Sequence, residues 1–122
     1  VERHAVLWSR PQGGFEGLAI DAEFVSGADA TDRVSAWRRA SGDVAWTSDK
    51  LRYRGLTAPL SVGSTLVFGD SEGWLHVLSQ DRGEPLLRLP TDGGAIIAPR
   101  VRSGLTMLAV TRSGNVFAFR PE

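Results

Sequence analysis

The sequence predicts an all-β fold of the β-propeller type, built from four-stranded antiparallel blades that form part of a ring. The first observation behind this prediction is a unit of about 41 residues that occurs three times. The second is that each copy consists of short runs rich in Val, Leu, Phe and Trp, separated by Gly, Ser and Asp turn residues. Repeats of about 40 to 45 residues with four strands each are typical of propeller blades, which stack face to face around an axis.

The repeat is visible in the spacing of matching residues. Ala58 lies 40 residues before Ala98, each followed by a proline, and Gly73 lies 41 residues before Gly114. One repeat before Gly73 the chain has Asp32. Alternation of apolar and polar residues is clearest in the third strand of each copy, RVSAWR, WLHVLS and NVFAFR, as expected for strands with two unlike faces.

The repeat also sets the expected blade boundaries. We place complete blades at residues 13–50 and 51–91, and a last blade without its fourth strand at residues 92–122. Residues 1–12 are expected to supply the fourth strand of an incomplete preceding blade, centred on residues 5–9.

Individual strands can be placed within the middle blade. We expect them at residues 57–61, 65–69, 74–79 and 84–89. In the first blade, the polar stretch at residues 21–33, which contains GADATD, is interpreted as a hairpin connection.

Two carboxylates beside a glycine raise the question of a metal loop or a catalytic corner. Asp70 and Glu72 precede Gly73, and His76 follows on a predicted strand. One repeat later the chain reads TRSG, which retains the glycine, Gly114, and lacks both carboxylates. A glycine allows the positive φ that a tight turn requires, whereas calcium takes six or more oxygen ligands. We therefore predict a turn at Asp70, Gly73 and Gly114 and no metal site, and we interpret His76 as a packed strand residue.

Tryptophans recur near the ends of the predicted fourth strands. Residues 36–46, AWRRASGDVAW, resemble the A-x-D-x-x-T-G-x-x-x-W repeat of the pyrroloquinoline-quinone-type propellers, in which the tryptophan docks one blade onto the next. By this resemblance Trp46 is a blade-docking residue. Trp8 takes the same position in the incomplete preceding copy, and Leu87 replaces the tryptophan in the following copy. An indole buries a large apolar area and its N–H can donate to a neighbouring carbonyl, which suits a structural role.

A narrower resemblance covers most of the chain. The segments DRVSAW, LRYRGLTAPL, GDSEGWLHVL and SGNVFAFR together resemble the C-terminal blades of the BamB family of outer-membrane protein assembly factors. The resemblance implies an eight-bladed lipoprotein on the periplasmic face of the outer membrane, which binds the periplasmic POTRA domains of BamA and assists β-barrel insertion. It covers about three-eighths of that ring. The lipidated cysteine and the first blades of the family have no counterpart in these residues, so the anchor is expected elsewhere.

Composition argues against several other classes of partner. Fourteen Lys and Arg residues balance fourteen Asp and Glu residues, without a basic stretch of the kind that binds nucleic acid. The absence of cysteine excludes disulfides and thiolate metal sites. We therefore predict neither a nucleic-acid partner nor a small-molecule substrate.

An enzymatic role is also not expected, and no cofactor is predicted. His4 and His76 are the two histidines, and no G-x-S-x-G nucleophile motif occurs. The alternatives are a fragment of a quinone-dependent dehydrogenase propeller and a propeller interaction module with another partner. Pyrroloquinoline quinone added with calcium should neither shift its absorbance nor raise the melting temperature if the chain is not such a dehydrogenase.

One exposed segment between blades is a candidate binding surface. In LRYRG, Arg52 and Arg54 flank Tyr53, and Arg and Tyr are enriched among residues that dominate interface energetics. The structural alternative is that Tyr53 covers a blade edge while the arginines are solvated.

Three blades alone leave apolar blade faces without a neighbour. Propellers have four to eight blades, and an open arc exposes a sheet face and a strand edge. We therefore predict a homo-oligomer, with a two-fold dimer that exchanges the strand at residues 5–9 as the specific form.

Overall fold

The computed structural model describes Ser9, residues 17–102 and residues 106–119, and these residues form eleven strands. The strands are β1 Leu18–Ile20, β2 Phe24–Ala28, β3 Val34–Arg38, β4 Val44–Ser48, β5 Leu60–Val62, β6 Thr65–Gly69, β7 Trp74–Ser79, β8 Pro85–Pro90, β9 Ile96–Arg102, β10 Thr106–Thr111 and β11 Val116–Phe119. No α-helix occurs in this part of the chain. None of the described residues therefore supplies a helix long and apolar enough to cross a lipid bilayer.

The strands form three antiparallel sheets that follow one another along the chain. Blade 1 has the order β1-β2-β3-β4, blade 2 has β5-β6-β7-β8, and the described part of blade 3 has β9-β10-β11. Within each blade, every strand pairs with the one that follows it in the chain, which is the pairing expected of a meander. The predicted fold class, a partial ring of antiparallel propeller blades, is confirmed.

Local predictions agree best in blade 2. The expected strands at residues 65–69 and 74–79 coincide with β6 and β7. The first and last strands of the blade are shifted, since β5 begins at Leu60 and β8 ends at Pro90.

The interpretation of residues 21–33 as a connection is wrong. These residues contain β2, in which Phe24, Val25 and Ser26 are buried and pair with β3. Ser26 and Gly27 interrupt the apolar run and so conceal a central strand from pattern reading.

The core lies between the blades. One cluster joins blade 1 to blade 2 through Val34, Leu51, Leu66, Phe68 and Leu78, with Trp46 packed against it. A second cluster joins blade 2 to blade 3 through Val67, Leu75, Ile96, Met107 and Ala109. Blade 2 thus buries one face against blade 1 and the other against blade 3, as face-to-face stacking requires.

Candidate protein-binding site

The turns between the second and third strands of each blade and the connections between blades meet at one end of the structure. We call this the connection end; it comprises residues 29–33, 49–59, 70–73, 91–95 and 111–115. Backbone hydrogen bonds join its parts, because Tyr53 N–H donates to Thr31 O (3.3 Å) and Ser71 N–H donates to Arg54 O (3.0 Å). Arg112 N–H donates to Ala95 O (2.9 Å) in the same way. The loops at this end are therefore held by the blades on both sides.

Carboxylates fix the turns of blades 1 and 2 in the same manner. Asp70 Oδ1 accepts hydrogen bonds from the N–H groups of Glu72 (2.8 Å) and Trp74 (3.0 Å). One repeat earlier, Asp29 Oδ1 accepts from the N–H groups of Thr31 (2.8 Å) and Arg33 (3.1 Å). An aspartate that accepts from its own turn in this way is a common turn stabiliser.

In all three blades, the fourth residue of this turn has a positive φ. The angle is 64° at Asp32, 89° at Gly73 and 95° at Gly114, which is the left-handed conformation that favours glycine and tolerates aspartate. Asp32 has a further role, because its carboxylate accepts from the N–H groups of Gly55 (2.9 Å) and Leu56 (3.1 Å). It therefore fastens the connection that leads from blade 1 into blade 2.

Blade 3 replaces the turn aspartate by Thr111. The hydroxyl of Thr111 donates to Asp92 Oδ2 (2.8 Å), which also accepts from Asn115 Nδ2 (2.6 Å). The hydrogen bond from Asn115 is the largest cause that lowers the pKa of Asp92 below its ordinary value, and the bonds from Gly94 and Thr111 act in the same direction. Asp92, which precedes β9, thus binds two side chains of the blade 3 turn.

Asp70 also contacts a histidine in the interior of blade 2. His76 Nε2 lies 2.7 Å from Asp70 Oδ2, and both side chains are buried. The guanidinium of Arg54 approaches the same oxygen at 3.9 Å from the connection. The turn aspartate therefore links a buried strand residue to a residue of the candidate binding segment.

The Arg52-Tyr53-Arg54 segment lies in the connection between blades 1 and 2. Tyr53 is 77% exposed and has φ of 63°. The guanidinium carbon of Arg52 lies 5.2 Å from the centroid of the Tyr53 ring, a cation–π distance. Leu51 is buried between the blades and holds the start of the segment in place. A large non-glycine side chain in the left-handed region costs conformational energy, and such outliers are frequent at functional sites.

The charge of Arg52 also reaches the turn of blade 1. Burial, the largest single influence, raises the pKa of Asp29, but hydrogen bonds from Thr31 and Arg33 together with the Arg52 charge outweigh it. The pKa of Asp29 consequently lies below its ordinary value. Asp29 therefore remains an anion next to the segment at neutral pH.

The proposed blade-docking residues differ in their surroundings. Trp46 Nε1–H donates to Gln80 O (2.9 Å) in blade 2, and its ring lies against Gly83. Leu87 has the equivalent place in its blade, opposite Val77 as Trp46 is opposite Ala36, but is 52% exposed. One repeat after Gln80 the chain has Pro121, which lies outside the described residues. Trp8 also lies outside the described residues.

A cleft of about 540 Å³ opens at the connection end between blades 2 and 3. We call it the blade-2/3 cleft. Its lining consists of Gly55, Leu56, Thr57, Ala58, Ser71, Ala95, Ile96, Ile97 and Arg112. Gly55 follows Arg54 in the chain, and Ser71 hydrogen-bonds the Arg54 carbonyl, so the cleft adjoins the candidate binding segment.

The connection end does not have the arrangement of a metal centre. No group of three or more His, Asp or Glu side chains suited to a metal occurs in the described ranges. The carboxylates of Asp29, Asp32 and Asp70 instead accept hydrogen bonds from backbone N–H groups.

Sequence reasoning missed three features of this end. It did not pair Asp70 with His76, did not recognise Asp32 as a fastener of the next connection, and did not include Arg112. The repeat offers a partial signal for Asp32, because this position is otherwise occupied by glycine and a carboxylate there requires a reason.

Comparison with known proteins supports the resemblance. The family model described as outer membrane protein assembly factor BamB matches residues 1–48. The curated relative of that name from Burkholderia pseudomallei is 40% identical over 116 residues, which is 95% of this chain and 30% of the relative. The relative of that name from Escherichia coli is 28% identical over 113 residues, with 93% of this chain and 29% of the relative covered. The chain thus spans about three-tenths of the length of these curated relatives.

Solved structures give the same result. The crystal structure of BamB from Moraxella catarrhalis matches with a TM-score of 0.78 at 30% identity, over 84% of this chain and 30% of that chain. The computationally designed Ika8 protein matches with a TM-score of 0.72 at 15% identity, over 88% of this chain and 33% of that chain, which is a likeness of fold alone. The predicted resemblance to the BamB outer membrane protein assembly factors is therefore confirmed, in sequence over most of the chain and in the fold of its blades.

Proposed function

We propose that this chain is a non-catalytic protein-binding scaffold in outer-membrane protein assembly, and that its partner is the periplasmic POTRA segment of BamA. The setting would be the periplasmic face of the outer membrane, as the resemblance implies. The observation that carries the proposal is Tyr53, which is 77% exposed in a left-handed backbone conformation and stacked against Arg52. Exposed aromatic and arginine side chains on a rigid support are what interface hot spots require.

Support for a binding role comes from how the segment is held. Leu51 is buried, the Gly55 and Leu56 N–H groups donate to Asp32, and Ser71 binds the Arg54 carbonyl. The backbone is thus ordered before a partner arrives, which reduces the entropy lost on binding.

The test is a calorimetric titration of the chain with purified POTRA segment, at moderate salt. Changing Arg52→Ala together with Arg54→Ala should weaken binding tenfold or more. Arg82→Ala is the matched control, because Arg82 is exposed in the β7–β8 turn at the opposite end. Unfolding in urea should show a similar free energy for both variants.

Two other results would contradict the proposal. Unchanged affinity in the double variant would remove the segment from the interface. Heat from a full-length relative, with none from this chain, would place the contact in other blades.

We further propose that the isolated chain self-associates through the open face of blade 3. Val116 is 65% exposed, whereas Val34 and Leu75, at the same position of the repeat, are fully buried by the next blade. Sedimentation at roughly tens of micromolar should give a mass above that of one chain, and Val116→Lys should shift it toward the monomer. A folded chain of monomeric mass would contradict the proposal. The strand exchange predicted for residues 5–9 concerns residues outside those described, apart from Ser9.

A further inference from the structure

The blade-2/3 cleft differs electrostatically from the cleft between blades 1 and 2. The latter, with a volume of about 240 Å³, is lined by two carboxylates, Asp29 and Asp32. The blade-2/3 cleft is larger, at about 540 Å³, and its one charged lining residue is Arg112. Both clefts share the connection at residues 55–58. The difference in charge between them therefore arises from the other lining residues, which lie on either side of that connection.

Among the described residues, no acidic side chain pairs with the positive charge in the blade-2/3 cleft. In the described part of the chain, no hydrogen bond or ion pair reaches the guanidinium of Arg112, whose backbone N–H alone is bound, to Ala95 O. Two carboxylates of the connection end have other partners: Asp70 accepts from its turn and contacts His76, and Asp92 accepts from Thr111 and Asn115. Arg112 is therefore available to an external anion.

An apolar surface lies beside this charge. Ile97 is 50% exposed in the cleft lining, while its neighbour Ile96 is buried against Gly69. An exposed isoleucine next to an arginine matches a ligand that carries an apolar group and a carboxylate a short distance apart. The cleft volume falls within the range of about 300 to 1,000 Å³ usual for ligand sites.

The cleft is continuous with the Arg52-Tyr53-Arg54 segment. Ser71 N–H and Oγ–H both donate to Arg54 O, at 3.0 and 2.9 Å, so the cleft wall and the segment are joined directly. The guanidinium of Arg54, partly exposed and 3.9 Å from Asp70, supplies a second cation near the cleft rim.

We propose that the blade-2/3 cleft binds an acidic segment of a partner protein, in which a carboxylate pairs with Arg112 and an adjacent apolar side chain contacts Ile97. This inference rests on the proposed function, since it assigns the chemistry of the partner at the same end of the scaffold. The bound segment extends from the cleft toward Arg54 and Tyr53. Its binding is salt-dependent, because the attraction between partly exposed charges is screened by ions.

The experiment uses a defined probe and the whole chain. A pentapeptide that alternates glutamate and leucine is titrated into ¹⁵N-labelled chain, and backbone amide shifts are followed. We expect saturable shifts centred on residues 54–57, 71, 95–97 and 112, with apparent affinity at least threefold lower at 200 mM than at 50 mM NaCl. The counterpart peptide with glutamine in place of glutamate should shift these amides at least fivefold less.

Matched variants identify the residue responsible. Arg112→Glu should reduce the apparent affinity for the acidic peptide at least fivefold, whereas Arg82→Glu, at the opposite end, should leave it within twofold. Dispersed shifts, equal responses to both peptides, or an Arg112→Glu variant that binds as well as wild type would each overturn the inference.

The POTRA segment then separates the two proposals. Displacement of the peptide by the POTRA segment supports both. Peptide binding without displacement supports the cleft and counts against the POTRA segment as its occupant. POTRA binding that depends on Arg52 and Arg54, with no peptide response at the cleft, supports the proposed function and overturns the cleft inference.

Discussion

Asp70 and His76 form a buried polar pair inside blade 2, with His76 Nε2 2.7 Å from Asp70 Oδ2. The two residues are 1% and 5% exposed, respectively. The register of the β6–β7 hairpin places His76 opposite Phe68, two residues before Asp70, and so directs the imidazole at the turn carboxylate. The pair makes the turn of blade 2 energetically unlike the turn of blade 1, where Ser35 stands one repeat before His76.

This difference predicts unequal costs for two equivalent substitutions. Asp70→Ala removes the turn hydrogen bonds and leaves His76 buried without its partner, so we expect a loss of about 3 kcal/mol in the free energy of unfolding. Asp29→Ala removes similar turn bonds at a more exposed position and should cost about 1 kcal/mol. Urea unfolding followed by circular dichroism compares them, and equal losses would show that the His76 contact contributes nothing.

Blade 3 suggests a variant that restores stability. It has Thr111 and Phe117 at the positions of Asp70 and His76. Asp70→Thr alone should destabilise the chain by about 2 kcal/mol, because the histidine remains buried and unpaired. Adding His76→Phe should recover at least half of that loss, since it removes the buried imidazole that has lost its partner. No recovery in the double variant would mean that the unpaired histidine costs no more stability than an apolar side chain at this position.

The same pair shows what the sequence could and could not predict. Repeat spacing and turn residues were sufficient for the fold class and for β6 and β7, because these depend on local pattern. The Asp70–His76 contact depends on hairpin register and on which neighbour fills the interior, neither of which the linear pattern contains. The buried strand at Phe24–Ala28 was missed for a related reason: burial by neighbouring blades stabilises a strand whose apolar run is interrupted by Ser26 and Gly27, where propensity alone would not.

Contact between Trp46 and Gly83 predicts a specific intolerance at the blade interface. Gly83 has φ of 70°, and a Cβ added there would overlap the Trp46 ring. Gly63, with φ of 58°, has open space around the same position. Gly63→Ala should therefore cost about 1 kcal/mol for backbone strain alone, and Gly83→Ala about 2 kcal/mol more because two blades must move apart.

Denaturant unfolding of the two glycine variants isolates the contact. If both lose the same stability, Trp46 has room to shift and does not fix the spacing of the blades. A change in near-ultraviolet circular dichroism confined to Gly83→Ala would place the perturbation at the indole.

Asp92 predicts a stability change in acid. Its hydrogen bonds from Asn115, Gly94 and Thr111 lower its pKa in the folded state. As the pH falls, the Asp92 carboxyl is therefore protonated first in the unfolded chain, at a pH of about 4. Above that pH, Asp92 makes its full contribution to the free energy of unfolding. This contribution is lost as the pH falls from there through the lower pKa of the folded state.

Asp92→Asn should remove this dependence in the acid range. We expect a lower free energy of unfolding at pH 7, and a smaller difference from wild type at pH 3, where the wild-type carboxyl is largely protonated in the unfolded chain. Asp43→Asn is a comparison outside the Asp92 cluster. A difference between wild type and Asp92→Asn that is the same at both pH values would contradict the role of the Asp92 charge.

Tyr53 allows folding and binding to be separated. Its φ of 63° is costly for tyrosine and free for glycine, but glycine also increases the entropy of the unfolded chain. These effects oppose each other, so the free energy of unfolding of Tyr53→Gly should lie within about 0.5 kcal/mol of the wild-type value. The variant loses the exposed ring and the stacking partner of Arg52, so binding of the POTRA segment should weaken tenfold or more.

A conformational control makes the result decisive. Tyr53→Asn also tolerates the left-handed backbone and keeps a polar side chain, without the aromatic ring. If the ring is the contact, the glycine and asparagine variants should bind equally weakly at unchanged stability, as measured by calorimetry and urea unfolding. If both bind as tightly as wild type, the exposed tyrosine is not an interface residue. If Tyr53→Gly alone loses affinity, what matters is the order of the connection, and the binding contacts lie in the arginines or the cleft.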